Sequence, residues 1–151
     1  MPGCRRPESV LVIVYTDDLQ VLLLKRTAPF EFWQCVTGSL NADETPAAAA
    51  ARELHEETGL QPGTKLVDSG RQRTFRIDPR WLDRYAVGVT ENLEHEWHYH
   101  LVSPVAVEID TVEHSDWQWV PIDEAIDRVW SWTNREALEA LRSDCGVRAG
   151  L

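Results

Sequence analysis

Apolar residues occur along this chain in short blocks separated by polar turns, a pattern typical of strands and short helices within one domain. The strand-like blocks are rich in β-branched residues or leucine and are predicted at residues 9–15, 20–26, 33–37, 65–77, 96–107 and 117–120. A polar turn at residues 16–19 joins the first two blocks, which predicts an antiparallel hairpin. Residues 78–83 are predicted to form a loop.

Three further segments are predicted to be helical. The first has Thr45 as its N-cap, a proline at its first helical position and Gly59 as its end. A second helix is predicted at residues 122–130. Thr133 and Glu136 have the spacing of a capping box that opens a last helix. Neither a repeat nor a Gly/Ser linker divides the chain, so we expect one domain over residues 1–151.

Charge and cysteine content narrow the classes of function. The formal net charge of -10 argues against partners that are polyanions, so we expect neither nucleic acid nor an anionic membrane to be bound. Cys4, Cys35 and Cys145 are an odd number without a CxxC pair, which favours a reducing cytoplasm over a disulfide framework or a zinc site. A small anionic substrate would need a cation to bridge it. Whether the chain is a monomer or a homodimer stays open.

Acidic residues crowd one side of the first predicted helix. At about 100° per residue, Glu53, Glu56 and Glu57 share a face. The same geometry predicts a separate packing stripe of small and apolar residues, namely Ala47, Ala51, Leu54 and Thr58. Like charges at this spacing destabilise a helix, and no basic residue lies four positions from Glu53 to relieve them.

This acidic face has two interpretations. Carboxylate oxygens without histidine or cysteine suit Mg²⁺ or Mn²⁺, so the cluster is a candidate metal site. A solvated charged face is an equally good explanation of three glutamates taken alone. Only the residues around the cluster can distinguish a metal site from a solvated face.

Those residues resemble a known family motif. Gly38, five residues, Glu44, seven residues and then the run RELHEETGL at residues 52–60 match the full Nudix box. Fixed residues with fixed gaps make this a specific signal, unlike a single glycine-rich motif. The resemblance implies a Nudix fold of the α/β (α+β) class, an α/β/α sandwich around a mixed β-sheet. It also implies hydrolysis of a phosphoanhydride in a nucleoside diphosphate linked to another group, or in a close analogue.

The resemblance also implies roles for single residues. Glu53, Glu56 and Glu57 would be catalytic and would hold the metal, Mg²⁺ with Mn²⁺ as an alternative. Arg52 would orient a neighbouring carboxylate through charge-assisted hydrogen bonds, and Glu44 would support the loop. The implied chemistry is metal-assisted hydrolysis, in which the cation binds phosphate oxygens and lowers the pKa of a water molecule.

The rest of the chain is similar to one branch of that family, the dihydroneopterin triphosphate diphosphatases of bacterial folate synthesis. The residues that carry this similarity include Arg6-Pro7, Phe32-Trp33-Gln34, Gln72-Arg73-Thr74, Gly88-Val89-Thr90, Glu113-His114 and Trp132-Thr133-Asn134-Arg135. By this resemblance, Arg5, Arg26, Thr37 and Ser131 would touch the substrate. Glu113 would be a further metal ligand or the general base.

The sequence departs from this branch at two places. A lysine is usual in the branch where Arg5 stands here, and residues 75–82 form a shorter segment where the branch contacts its substrate. Flat side chains that could stack on a heterocycle are Trp33, Trp81, Trp97, Trp130 and Trp132. Two other functions stay open: a pyrophosphatase for nucleotides such as dATP, 8-oxo-dGTP or a dinucleoside polyphosphate, and a Nudix module that binds a ligand without hydrolysing it.

Overall fold

A computed structural model describes residues 3–149 of this chain, with side chains for residues 3–146. Within that range the strands are β1 Glu8–Thr16, β2 Gln20–Arg26, β3 Phe32–Gln34, β4 Val36–Ser39, β5 Leu66–Arg76, β6 Glu91–Leu101 and β7 His114–Pro121. The helices are α1 Pro46–Thr58, α2 Ile122–Arg128 and α3 Trp132–Ala149. Short 3-10 helices cover Gly63–Lys65 and Pro79–Arg84.

The described strands form one mixed sheet with a helical layer on each side. β1 runs parallel to β6, and the other pairings are antiparallel. Successive side chains of a strand point to opposite faces, so β1 contributes to two cores. Val10, Val12 and Val14 lie in the core beneath α1, whereas Leu11 and Ile13 lie in the core beneath α2 and α3. The predicted α/β/α sandwich around a mixed sheet is therefore confirmed.

The predicted hairpin of β1 and β2 is confirmed, but the single strand predicted at residues 33–37 is wrong. The chain changes partner at Cys35: β3 pairs with the end of β2, and β4 pairs with the start of β1. β1 and β2 themselves are in register only at Tyr15 and Val21, because the two strands diverge beyond that point. β3 and β4 fill the gap between them. As a result, Gly38 of β4 and Arg26 at the end of β2 line the same cavity.

Helix α1 has the predicted ends. The Thr45 side chain accepts a hydrogen bond from the backbone N–H of Ala48, and Gly59 adopts a left-handed φ of 76° that ends the helix. The predicted packing stripe is confirmed at Leu54 and Thr58, but it is wrong at Ala47, which is exposed, and Ala51 is only half-buried. The buried residues of α1 are Ala49, Ala50, Glu53, Leu54, Glu57 and Thr58. Two of the three acidic residues therefore belong to the face that packs on the sheet.

Other element boundaries differ from the prediction. β6 begins at Glu91 and ends at Leu101, so residues 102–107 lie outside it. The segment predicted as a loop at residues 78–83 contains the 3-10 helix Pro79–Arg84, capped by the Asp78 side chain. In the described part of the chain, no helix has both the length and the apolar character needed to cross a bilayer.

The capping box predicted at Thr133 and Glu136 is wrong. The Ser131 hydroxyl accepts from the Thr133 N–H at 3.2 Å, and the Ser131 carbonyl accepts from the Arg135 N–H at 3.1 Å, so Ser131 caps α3, which begins two residues earlier than predicted. Glu136 instead forms an ion pair with Arg73 of β5, 3.2 Å away. The tertiary partner therefore overrides the local capping signal.

Candidate active site

Gly38 of β4 lets the sheet approach the acidic face of α1. A Cβ atom at this position would lie 2.1 Å from the carboxyl carbon of Glu53, well inside van der Waals contact. Glu53 and Glu57 are therefore held against the sheet, with exposed fractions of 8% and 3%. Glu56 points outward, and its side chain is 54% exposed. The three predicted carboxylates therefore differ in exposure: Glu53 and Glu57 are buried against the sheet, and Glu56 is exposed to solvent.

Burial opposes the ionisation of both Glu53 and Glu57, and Glu53 further opposes that of Glu57. Burial raises the pKa of Glu53, and burial together with the charges of Glu53 and Glu113 raises the pKa of Glu57 well above its usual range. Glu57 Oε2 has no hydrogen-bond partner among the described residues, although it is fully sheltered from water. An unpaired buried carboxylate oxygen costs free energy unless a cation or a proton neutralises it. The site is therefore suited to a divalent cation.

Two residues outside the helix complete this group. Ligand atoms of Glu57, Glu113 and His114 all lie within 4.8 Å of one another. Glu113 precedes β7 and receives hydrogen bonds on its carbonyl from Thr27, just beyond the end of β2. The sheet thus brings Glu113 close to Glu57 of α1. Nudix hydrolases generally use a divalent metal, and these side chains could hold one.

His114 is a site residue that the sequence did not predict. This side chain is fully buried, and its Nε2 atom lies 3.7 Å from Glu57 Oε2 and 3.2 Å from the Gln34 amide nitrogen. Burial lowers the pKa of His114, so the imidazole is neutral near pH 7 and can accept from Gln34. Its position directly after Glu113, a candidate metal ligand, was the only hint in the sequence. The burial of His114 depends on the register of β7 with β2, which the sequence does not show.

Arg52 binds the acidic residues together. Its guanidinium donates to both carboxylate oxygens of Glu44 at 2.9 and 2.8 Å, to Glu53 at 2.7 Å and to Glu56 at 3.2 Å. It also donates to the Ser39 carbonyl at 3.0 Å. No basic residue lies four positions from Glu53, but Arg52, which is next to Glu53 and four positions before Glu56, compensates both carboxylates through these hydrogen bonds.

Replacing Arg52 by lysine should weaken both stability and activity. Lysine keeps the charge but cannot present the planar donors that reach three carboxylates and a carbonyl at once. We expect unfolding to become easier by about 1–3 kcal/mol and kcat/KM to fall by about 10- to 100-fold, as for residues that orient metal ligands. Thermal melting and steady-state kinetics measure the two effects. Arg142→Lys, in an exposed pair with Asp123, is the matched control.

The same variant has a pH signature. Hydrogen bonds from Arg52 lower the pKa of Glu44 from 4.5 to about 2. Because the folded-state pKa is depressed, the Glu44 contribution to stability is present above pH 4.5 and is lost as the pH falls toward 2. The melting temperature of Arg52→Lys should therefore fall less steeply than that of the wild type between pH 4.5 and 2. Parallel curves would contradict this assignment.

A cavity of about 950 Å³ opens beside the carboxylates, and we call it the carboxylate cavity. Its lining contains every predicted site residue except one: Arg5, Arg26, Thr37, Arg52, Glu53, Glu56, Glu57 and Glu113. Burial lowers the pKa of Arg26, whereas the nearby charges of Glu113 and Glu57 raise it. The cavity therefore has an acidic wall on α1 and a basic wall on β2 and the N-terminal segment.

A second cavity, of about 550 Å³, adjoins the first, and we call it the aromatic cavity. Phe32, Trp81 and Trp130 contact one another in its wall, with ring centroids 5.2–6.1 Å apart. Trp132 and Ser131, the remaining predicted substrate residue, also line it. Arg5, Arg26, Thr37, Gly38 and Ser39 line both cavities, so the two are continuous.

Two of the five candidate stacking tryptophans lie elsewhere. Trp33 packs against the core beneath α2 and α3, and the Arg128 guanidinium lies 4.4 Å from its ring centroid. Trp97 packs against the core beneath α1. Trp81, Trp130 and Trp132 remain as candidates for contact with a flat ring.

Comparison with known proteins gives concordant results. Residues 5–141 match the family described as the NUDIX domain. The chain is 38% identical over 139 residues to the dihydroneopterin triphosphate diphosphatase of Escherichia coli, covering 89% of this chain and 91% of that protein. It is 38% identical over 136 residues to the enzyme of the same name from Haemophilus influenzae, with coverages of 87% and 85%.

Solved structures show the same likeness. The E. coli dihydroneopterin triphosphate pyrophosphohydrolase superposes with a TM-score of 0.84 at 35% identity, covering 91% of this chain and 95% of that one. A Caenorhabditis elegans Ap4A hydrolase shares the fold, with a TM-score of 0.71 at 22% identity and coverages of 95% and 98%. With the Nudix box complete and its carboxylates gathered beside a common cavity, this chain belongs to the Nudix hydrolase family.

Proposed function

We propose that this protein hydrolyses dihydroneopterin triphosphate to dihydroneopterin monophosphate and pyrophosphate. The observation that carries the proposal is the continuity of the carboxylate and aromatic cavities across Arg5, Arg26 and Thr37. A flat heterocycle in the aromatic cavity would place an attached phosphate chain at the arginines and the carboxylates. The activity named for the E. coli and H. influenzae relatives supports this choice of substrate.

We assign the metal ligands to Glu53, Glu56, Glu57 and Glu113, with Mg²⁺ as the cation and Mn²⁺ as an alternative. Carboxylate oxygens are the ligands that these hard cations prefer, and Mg²⁺ commonly takes further oxygens from a phosphate substrate. When bound, such a cation neutralises charge on the phosphates and lowers the pKa of a coordinated water. The unpartnered Glu57 Oε2 supports this assignment.

The protein side chains then divide the remaining work. Arg5 and Arg26 bind the phosphate chain, and Thr37 lines the passage between the cavities. Arg52 keeps the helix carboxylates in position. Glu113, which precedes β7 and lies within 4.8 Å of Glu57, takes the proton of the attacking water. The oxygen of that water bonds to one phosphorus as the α–β anhydride breaks, and the products are the monophosphate and pyrophosphate.

A substrate panel tests the proposal. With Mg²⁺ present, kcat/KM for dihydroneopterin triphosphate should exceed that for dATP, 8-oxo-dGTP and diadenosine tetraphosphate by at least about tenfold. Pyrophosphate rather than phosphate should be released, and chelation of the metal should stop the reaction. Turnover of nucleotides without turnover of the pterin would favour the alternative of a nucleotide pyrophosphatase. No turnover of any member would favour a binding module, although the complete set of box glutamates argues against one.

Other expectations remain predictions. A cytoplasmic location agrees with the free thiols of Cys4 and Cys35 and with the bacterial relatives. The small triphosphate as sole partner, without nucleic acid or membrane, agrees with the net charge of -10. Gel filtration with light scattering would distinguish a monomer from a homodimer.

A further inference from the structure

Two buried polar atoms at the floor of the aromatic cavity lack partners. Glu94 and Asn92 of β6 line this cavity, and their exposed fractions are only 4% and 1%. Glu94 Oε1 and Asn92 Oδ1 have no hydrogen-bond partner among the described residues. The rest of each side chain is fixed, since Glu94 bonds to Thr133 and the Asn92 amide nitrogen donates to Ser9 Oγ at 2.8 Å. Two acceptors are therefore held in place without a donor.

The nearest cation does not supply that donor. Arg73 lies opposite Glu94 on β5, but its guanidinium donates to Glu96 at 2.6 Å and to Glu136 at 3.2 Å. Burial raises the pKa of Glu94 to about 7, even though Thr133 and Arg73 act in the opposite direction. An unsatisfied buried acceptor destabilises the fold, and its persistence beside a cavity suggests that a ligand satisfies it.

We propose that Glu94, together with Asn92, determines specificity by accepting two neighbouring N–H donors from the heterocycle. The 2-amino-4-oxopyrimidine edge carries such a pair, a lactam N–H beside an exocyclic amine. Pterins and guanine share this edge, whereas adenine presents an acceptor beside its amine. The aromatic side chains that line the cavity contact the ring, and the two acceptors select its edge. This inference refines the proposed function by naming what selects the ring of its substrate.

The test uses ligands without phosphate, so that turnover does not interfere. Binding of dihydroneopterin, guanosine, inosine and adenosine is measured by calorimetry with the wild type and with Glu94→Gln. We expect dihydroneopterin to bind best and adenosine to bind weakly. Inosine should bind more weakly than guanosine, because it lacks the exocyclic amine. Glu94→Gln should weaken the binding of dihydroneopterin by about 10- to 100-fold, because an amide oxygen is a weaker acceptor than a carboxylate oxygen, and should leave the binding of adenosine unchanged. The guanosine arm distinguishes a purine site from a pterin site.

Glu136→Gln is the matched control, because it removes an exposed carboxylate that faces Arg73 without lining the cavity. Its ligand preferences should equal those of the wild type, and thermal melting checks the fold of both variants. If Glu94→Gln does not fold, Asn92→Asp offers a second test, since a second buried anion beside Glu94 should also change the preference for the amine. Unchanged preference in a folded Glu94→Gln variant would overturn the inference. A second outcome separates the two proposals. If Glu94→Gln loses the preference for dihydroneopterin but the wild type does not hydrolyse dihydroneopterin triphosphate, the inference stands and the proposed function is rejected.

Discussion

Replacing Glu57 by glutamine should lower metal-dependent kcat/KM by about 10³-fold or more, because Lewis-acid stabilisation is worth several kcal/mol and each 1.4 kcal/mol is tenfold in rate. Glu57 is the helix carboxylate nearest to both Glu113 and His114, and an amide at its position is a poor ligand for a hard cation. The measurement is steady-state turnover of dihydroneopterin triphosphate over a range of Mg²⁺ concentrations.

The same variant should keep its fold. Glutamine removes a buried carboxyl group whose ionisation Glu53 and Glu113 oppose, so the melting temperature without metal should be unchanged or higher. Added Mg²⁺ should raise the melting temperature of the wild type but not that of Glu57→Gln, because only a bound ligand stabilises the native state. Glu139→Gln, on the exposed side of α3, is the control. Near-normal turnover in a folded Glu57→Gln variant would contradict the metal assignment.

Replacing Gly38 by alanine should damage both the fold and the site. The new methyl group would lie 2.1 Å from the Glu53 carboxyl carbon, so either that side chain or β4 has to move. We expect a loss of about 1–3 kcal/mol in unfolding free energy from overpacking. A displacement of about 1 Å at the metal site should lower kcat by about 10²-fold.

Gly146→Ala is the matched control for this variant, because a Cβ at that position would meet no described residue within 4 Å apart from its chain neighbours and the backbone of its own helix. The control should keep wild-type activity and melting temperature or gain slightly in stability, since alanine favours a helix more than glycine does. Wild-type kinetics in Gly38→Ala would mean that the position of Glu53 against β4 is unimportant for catalysis.

The helix that bears the carboxylates was predictable because its signals are local. Thr45 and Gly59 determine where α1 begins and ends through backbone geometry, and helical periodicity places the glutamates on one side. The Nudix box then identified the family from residues that lie within a short stretch of chain. Local hydrogen bonding and side-chain spacing are properties of neighbouring residues, so the sequence expresses them directly.

The surroundings of those carboxylates were not predictable in the same way. The strand break at Cys35 occurs because β1 and β2 diverge. Glu136 does not cap α3 as predicted but forms an ion pair with Arg73 on a distant strand. The packing face of α1 includes Glu53 and Glu57 because Gly38 lets the sheet come close. Each of these outcomes depends on which strand lies next to which.

The sequence by itself therefore determined the family, the fold class and the acidic helix of this protein. The tertiary structure decided what faces that helix: Glu113 and His114 on one side, and an aromatic cavity with Glu94 at its floor next to it. The physical reason is that strand register and sheet order join residues far apart in the chain, and no local pattern encodes those distances.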